Sequence, residues 1–475
     1  MSLTMNNQDI NTPLNAEQTT KMLENGEGSE WDETELIKIG NVVSGGTPST
    51  AISDFWNGNI LFVTPFDLSR IKSAFIENTE RKISKEGLAT CSANLLPAGS
   101  IVISSRAPIG YIAIGKKEFT TNQGCKSIVP SSNFDSLYLY YCLNFYVERI
   151  KRLGAGSTFA EISKGDLEMV KLPHPKDKKK QIQIAKILST ADAVIEKTQA
   201  AIAKYKAIKQ GLLHDLFTRG VVPQTVKLTN EKGEEEEKTV WKLRPTYQDA
   251  PHLYKESKLG MVPKEWEVDT TAELICKGIL DNIQDGNHGE MHPKSTDFVP
   301  DGIAFIMASD ISEDKIDFLN CHKISYNQYQ ALRIGFSISG DILLSHKASI
   351  GFVAKVPNYV KEIMLTPQVT YYRVLKEEVL HKNYLEYFLR TTLFQTPLQN
   401  LAKQSTRDYI GITLQKSLNI LFPSNINEQI AIADKLIAIQ NSLQTEQAYL
   451  QKLYRLKAGL MGDLLSGKKR VTLEK

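Results

Sequence analysis

The chain has 475 residues, 41% of them hydrophobic and 23% charged, the ordinary balance of a folded chain with room for about three domains' worth of core. A formal charge of +3 permits nucleic-acid binding without arguing for it, and no apolar run approaches the roughly 18 residues of a spanning helix. The five cysteines (Cys91, Cys125, Cys142, Cys276, Cys321) are scattered, odd in number and never in a Cys-x-x-Cys pair, so neither a disulfide framework nor a zinc site is indicated, and a reducing cytoplasm fits.

Residues 1–28 are polar, lack a signal-peptide core, and read as a flexible or short helical extension. From 29 to 175, short β-rich runs (Ile60–Val63, Ser100–Ile103, Tyr111–Ile114) are divided by Gly, Pro and Ser. An aromatic helix through Leu139, Tyr141 and Leu143 follows, so this segment is predicted to be an α+β domain. Over 176–220, apolar residues return every three or four positions: Ile184, Leu188, Ala191, Ile195, Ile202, Tyr205, Leu212 and Leu216. That spacing is a coiled-coil seam. Residues 221–259, with four glutamates from Glu234 to Glu237, read as an extended connector carrying a small exposed hairpin around Gly233. A second α+β domain over 260–424 and a second long helix over 425–475 complete the order.

The second half repeats the first. Shifted by 248 residues, the seam returns as Ile432, Leu436, Ile439, Leu443, Leu450, Leu453, Leu460 and Leu464. Upstream, Trp31 falls on Trp266, Asp67 on Asp310, Gly99 on Gly340, Arg106 on Lys347 and Gly110 on Gly351, and TNQGCKSIVP echoes TPQVTYYRV. Two matched helices of roughly 55 Å, each marginal alone, most simply pack on each other. The alternative is that each lies on its own domain. An antiparallel pair is expected, because a parallel one would force the connector to run the full helix length. Its midpoint would bring Thr198 near Glu446, either as a register-fixing polar layer or as two solvent-facing residues.

Catalytic signatures are missing: there is no phosphate-binding G-x-x-x-x-G-K-S/T loop, no strand-led G-x-G-x-x-G, no H-E-x-x-H and no G-x-S-x-G. His288 and His292 sit in the loop-like DGNHGEMHP, which suits a polar recognition loop better than a metal pair, and GAGST (154–158) reads as a turn. Residues 31–175 hold 15 basic against 14 acidic side chains, and 260–423 hold 16 against 19. Domains so nearly neutral would read bases with a few placed side chains while something else grips phosphates. Two heads on such rods could occupy successive turns of B-DNA, spaced about 34–36 Å. The heads differ where bases would be touched: GGTPSTAISDFWNG in one, DNIQDGNHGEMHPKS in the other. A different class of function, a non-enzymatic scaffold whose two heads bind proteins, shares the architecture.

Taken together, GGTPS, the P-I-G and S-I-G turns after Arg106 and Lys347, the Pro elbow before Q-I-x-I-A, the helix ends GLLHDLFTRG and GLMGDLLSGK, and the central LRPTYQDAPHLYKESKLGMVPKEW resemble the specificity subunit of type I restriction-modification enzymes. The resemblance covers nearly everything after residue 30. It implies two target recognition domains separated by an antiparallel coiled coil of two long helices, in a pseudo-two-fold internal repeat, reading a bipartite double-stranded DNA target. It further implies a chain that is not catalytic alone but docks two methyltransferase subunits, joined by motor-nuclease subunits, in a cytoplasmic complex that both cleaves DNA and methylates adenine. S-adenosylmethionine, ATP and Mg would belong to those partners, with no cofactor, metal or membrane bound by this chain. The acidic residue usual before the elbow glutamine is kept as Glu428 but is Lys180 in the first copy, which departs from the family pattern.

Candidate DNA contacts are Thr47, Ser49, Arg106, Lys117, Gln123 and Lys126 in the first head, and Asn282, Gln284, Asn287, His288, Lys347, Gln368 and Arg407 in the second. Lys176, Lys178, Lys179 and Lys180 sit where a helix dipole disfavours cations, which points to an acidic partner or phosphate, or to a solvated charge run.

Overall fold

A computed structural model describes residues 30–472 apart from 107, 155–160, 230–234, 313–314 and 404–408. The expected N-terminal extension, most of the GAGST turn, the hairpin tip at Gly233 and the candidate contact Arg407 therefore lie outside the described residues. The chain divides into two units: residues 1–201 with 446–475, and residues 202–445.

In the first unit the leading strand Trp31–Glu35 pairs antiparallel with the closing strand Lys171–Pro175, setting Trp31 opposite Pro175. Between them lie a five-stranded sheet and a three-stranded sheet. The latter is built on Trp56–Val63, which pairs antiparallel with Arg81–Ile83 and parallel with Phe119–Thr121. The second unit repeats this plan. Trp266–Thr270 pairs with Asn419–Pro423, Trp266 opposite Pro423, while Phe298–Ile306 pairs antiparallel with His322–Ile324 and parallel with Glu362–Leu365. Even the register slip recurs, between Trp56 and Ile60 in one unit and Phe298 and Ile303 in the other.

The residues that demand particular backbone explain why the repeat was visible in sequence. Gly99 and Gly340 have φ of 86° and 89°, and Gly110 and Gly351 have 98° and 97°, a region side chains with a Cβ avoid. Asp67 and Asp310 do the same work, each accepting the backbone N–H three residues earlier, from Thr64 (2.9 Å) and Met307 (2.8 Å).

Two long helices, Lys178–Thr218 and Ile426–Leu465, contribute a half to each unit. In the first unit Ile184 and Leu188, from the start of one helix, share a core with Leu464 and Leu465, from the end of the other. In the second unit Leu216 and Phe217 share a core with Ile432 and Leu436. Each unit by itself thus shows the helices running antiparallel. Polar cross-links accompany the seam: Asp192 pairs with Lys457, the Gln199 amide donates to the Tyr454 hydroxyl (2.7 Å), and Lys209 donates to Gln440 (2.8 Å). Among the seam positions Ile184, Leu188, Ile195, Ile202, Leu216, Ile432, Leu436, Leu443, Leu453 and Leu464 are buried. Ala191, Tyr205, Leu212, Ile439, Leu450 and Leu460 are half-buried, as befits an exposed pair. Thr198 is buried, and its hydroxyl donates to Val194 O of its own helix (2.9 Å), so the polar seam position is satisfied locally.

One clamp, made twice, sets the angle between each domain and its helix. Gln181 accepts from Asp135 N (3.0 Å) and donates to Pro175 O (3.0 Å) and, at 3.5 Å, to Asn133 O. Gln429 accepts from His381 N (2.8 Å) and donates to Val379 O (2.8 Å) and Pro423 O (2.7 Å). Both side chains are buried. Two of the four lysines before Gln181 are held within the chain, Lys178 donating to Ser132 O (2.7 Å) and Lys180 pairing with Glu30 (2.7 Å), while Lys176 and Lys179 are exposed. The connector forms the antiparallel pair Val221–Thr229 and Glu235–Leu243. No helix among the described residues is long and apolar enough to cross a membrane.

Candidate nucleic-acid interface

In the first unit three backbone segments converge: the Gly45–Gly46 loop, the turn after Ser104, and the loop before the strand Cys125–Pro130. Gly46 N donates to Thr121 O (2.9 Å) and Ser105 N to Gly124 O (2.8 Å). Only glycine allows the approach at 45, where a Cβ would stand 2.0 Å from Asn122 O. On this frame the Thr47 hydroxyl donates to Gln123 Oε1 (2.5 Å). Glu161 receives Arg106 Nε at 3.0 Å and Lys126 Nζ at 3.6 Å. Thr47, Gln123 and Arg106 are thus brought together, with Ser49, exposed, on the same loop and accepting from Ala51 N.

Two expected contacts do not join them. Lys126 is 6% exposed and serves as a buried counter-ion to Glu161 and donor to Ser105 Oγ (3.4 Å). Lys117 follows the strand Ile112–Gly115, at the end of the hairpin away from Arg106.

The second unit builds the same frame with different groups. Gly286 N donates to Thr366 O (3.2 Å) and His346 N to Gln368 O (2.9 Å), and a Cβ at Gly286 would stand 1.8 Å from Leu365 O. His346 therefore takes the place of Ser105, and Gln368 stands opposite Gly124 rather than Gln123, a one-residue correction to the register read from sequence. His288, Lys347 and Gln368 line one opening of about 300 Å³. His288 Nε2 lies 3.0 Å from Asp285 Oδ2, while Gln368 Oε1 accepts Ala308 N (3.2 Å).

Asn287, expected on the surface, is 4% exposed; its amide accepts from Arg333 N (3.0 Å) and donates to Ile334 O (2.6 Å), bracing the loop from inside. Asn282 accepts from Lys416 (2.8 Å), and Gln284 contributes its backbone to a bridge with Tyr371. Neither lines the opening.

The family described as the type I restriction modification DNA specificity domain matches residues 28–205. The type I restriction enzyme MjaIX specificity subunit of Methanocaldococcus jannaschii is 32% identical over 248 residues, 52% of each chain. The chain thus spans about half the length of that relative. The MjaVIII specificity subunit of the same organism is 25% identical over 93% of this chain and 94% of its own length. Residues 28–205 are thus similar to the DNA specificity domain of type I systems, and the chain along most of its length is similar to type I specificity subunits. Its fold matches the crystal structure of a type I restriction-modification S subunit from M. genitalium, with a TM-score of 0.55, 14% identity, and coverage of 94% of this chain and 99% of the other.

Sequence reasoning missed four groups that shape this chain's surfaces: Glu161, Asp285, His346 and Tyr409. Glu161 and Tyr409 bridge Arg106 and Lys347 respectively, at matched places in the two units. Lys347 Nζ stands 5.9 Å from the Tyr409 ring centre. His346 is fully buried with neither ring nitrogen hydrogen-bonded. Burial pushes its pKa down to about 4; Asp285 Oδ2, 3.9 Å away, pulls the other way and does not prevail. The signal for it is in the repeat: with Arg106 on Lys347, His346 falls on Ser105, a titratable ring in place of a small buried hydroxyl. Among the described residues no cluster of three or more His, Cys, Asp or Glu could hold a metal ion.

Proposed function

We propose that this chain is the sequence-reading subunit of a type I complex, each domain reading one half of a bipartite double-stranded DNA target. In this reading the two long helices set the length of the unread spacer and present docking surfaces for two methyltransferase subunits, with motor-nuclease subunits joining them. S-adenosylmethionine, ATP and Mg²⁺ would act in those partners. The observation that carries it is a scaffold repeated down to single hydrogen bonds, Asp67 with Asp310 and Gln181 with Gln429, on which the surface groups differ. A pair of protein-binding heads would have no comparable reason to hold the frame constant while changing Thr47, Gln123 and Arg106 for His288, Lys347 and Gln368.

The test is to map which adenines the reconstituted complex methylates, then to insert four residues at matched positions in both helices. That adds about 6 Å at about 1.5 Å per residue, so the spacer should lengthen by about one or two base pairs of about 3.4 Å. An unchanged spacer would refute the role of the helices, and methylation without any shared sequence would refute the reading as a whole.

A further inference from the structure

We infer that the opening in the second domain beside His288 and Lys347 is a phosphate subsite, built to seat one backbone phosphate of the half-target this domain reads. The inference rests on the DNA-reading role above and adds what that role leaves unassigned.

The polar groups around the opening present donors. Lys347 brings an exposed ammonium to it. Gln368 engages its carbonyl oxygen with Ala308 N, which leaves its NH₂ as the unengaged end. Thr366 also lines the opening; it is 2% exposed, and its hydroxyl has no hydrogen-bond partner. A buried hydroxyl left unpaired costs about 1–3 kcal/mol, so a group that persists in this state is poised for something that enters. Among the described residues no Asp or Glu lines the opening; the Asp285 carboxylate lies behind His288 and faces its Nε2. Recognition of a base edge needs a pattern of donors and acceptors, whereas a phosphate oxygen needs donors and positive charge.

The first domain shows that the frame does not require this opening. Thr366 N donates to Ile306 O as Asn122 N donates to Val63 O, which makes Asn122 the counterpart of Thr366. Asn122 is satisfied within its own loop, accepting from Gly124 N at 3.1 Å. Where Gln368 stands in the second domain, Gly124 packs so closely that a Cβ would meet Pro65 Cγ at 3.0 Å. The same place therefore carries a glycine and an asparagine engaged within its own loop in one head, and a glutamine and an unpaired threonine hydroxyl in the other.

The test uses the full chain assembled with its methyltransferase subunits and a duplex carrying the mapped target. Single uncharged methylphosphonate linkages are walked through the half read by the second domain. One position should weaken binding by the unmodified complex about tenfold, the effect of losing charge-assisted hydrogen bonds, and should be silent in a Lys347→Met, Thr366→Val double variant. Lys347→Met alone should lower the slope of log K against log salt by about one, while Thr366→Val, isosteric at an unpaired hydroxyl, controls for folding. Methylphosphonate and variant effects that multiply independently at every position would overturn the subsite. If the unmodified complex fails to prefer the mapped target over random duplex, the DNA-reading role itself falls and the subsite with it.

Discussion

Replacing the elbow glutamines by alanine should destabilise the two units unequally. Gln429 is fully buried and makes three bonds of 2.7–2.8 Å, so Gln429→Ala strands the His381 N–H and the carbonyls of Val379 and Pro423 in the interior. At about 1 kcal/mol for each bond lost and up to about 3 for a group left wholly dry, with water entering part of the space, the cost is about 3–5 kcal/mol. Gln181 makes two bonds of 3.0 Å and one of 3.5 Å, the last too long to count for much, so Gln181→Ala should cost about 2–3 kcal/mol. For units of this size about 1 kcal/mol moves the melting temperature by about 2–4 °C. Differential scanning calorimetry of both variants should show the Gln429 variant's transition lowered by about 6–20 °C and the Gln181 variant's by about half as much. Gln429→Met, which refills the volume without the amide, should rescue little. If the Gln429 alanine and methionine variants both melt within a degree of the parent chain, the clamp does not hold the domain to its helix.

Other consequences follow from the second domain's buried groups and from the loop glycines. With a folded-state pKa of about 4 against an ordinary 6.5, His346 is neutral in the folded chain; above 6.5 both states are neutral, and as pH falls from 6.5 toward 4 only the unfolded chain takes up the proton. Its contribution to stability is therefore full above 6.5 and declines on the acid side by about 3 kcal/mol, at about 1.36 kcal/mol per unit. Urea unfolding at pH 7.5 and 4.5 should show that His346→Gln removes this loss, and an identical pH slope in parent and variant would contradict the assignment. Gly45→Ala and Gly286→Ala should each force their loop off the frame, since the added Cβ would stand 2.0 Å from Asn122 O and 1.8 Å from Leu365 O. Overpacking of this kind costs about 1–3 kcal/mol. Footprinting should show each variant losing protection over one half of the target only, and a loss over both halves would argue that the heads do not read independently.

The parts of this fold that were legible in the sequence are those where backbone geometry or periodicity leaves little choice. Left-handed glycines at 99, 110, 340 and 351 and the carboxylates at 67 and 310 recur because the chain cannot make those turns otherwise. The helix seam was legible because burial follows its period, down to Leu188 and Leu436, both fully covered. The surface was legible only in outline. Asn287 and Lys126 belong to residue types that read bases and phosphates, but the same donors and acceptors can brace a loop or neutralise a carboxylate. Which they do depends on partners distant in sequence, such as Glu161 for Lys126 and the backbone at 333–334 for Asn287. No local pattern encodes such pairings.

The same argument recasts the departure at Lys180. Glu428, its counterpart, is 4% exposed, and its Oε1 accepts from Val221 N (3.0 Å) and Trp266 Nε1 (3.1 Å) with Arg244 Nη1 at 3.5 Å. Burial pushes its carboxyl above the ordinary range, and Arg244 and these donors pull it back, as expected of an internal brace. Val221 and Arg244 both belong to the chain that leaves the first long helix, so in the second unit the carboxylate ties connector, helix start and leading tryptophan into one knot. In the first unit Lys180 turns instead to Glu30, on the stretch just before Trp31. An inward-facing acid offers nothing to a docking subunit directly. The exchange of acid for lysine therefore alters how each elbow is braced, and a difference in docking between the elbows would have to originate in groups that face solvent.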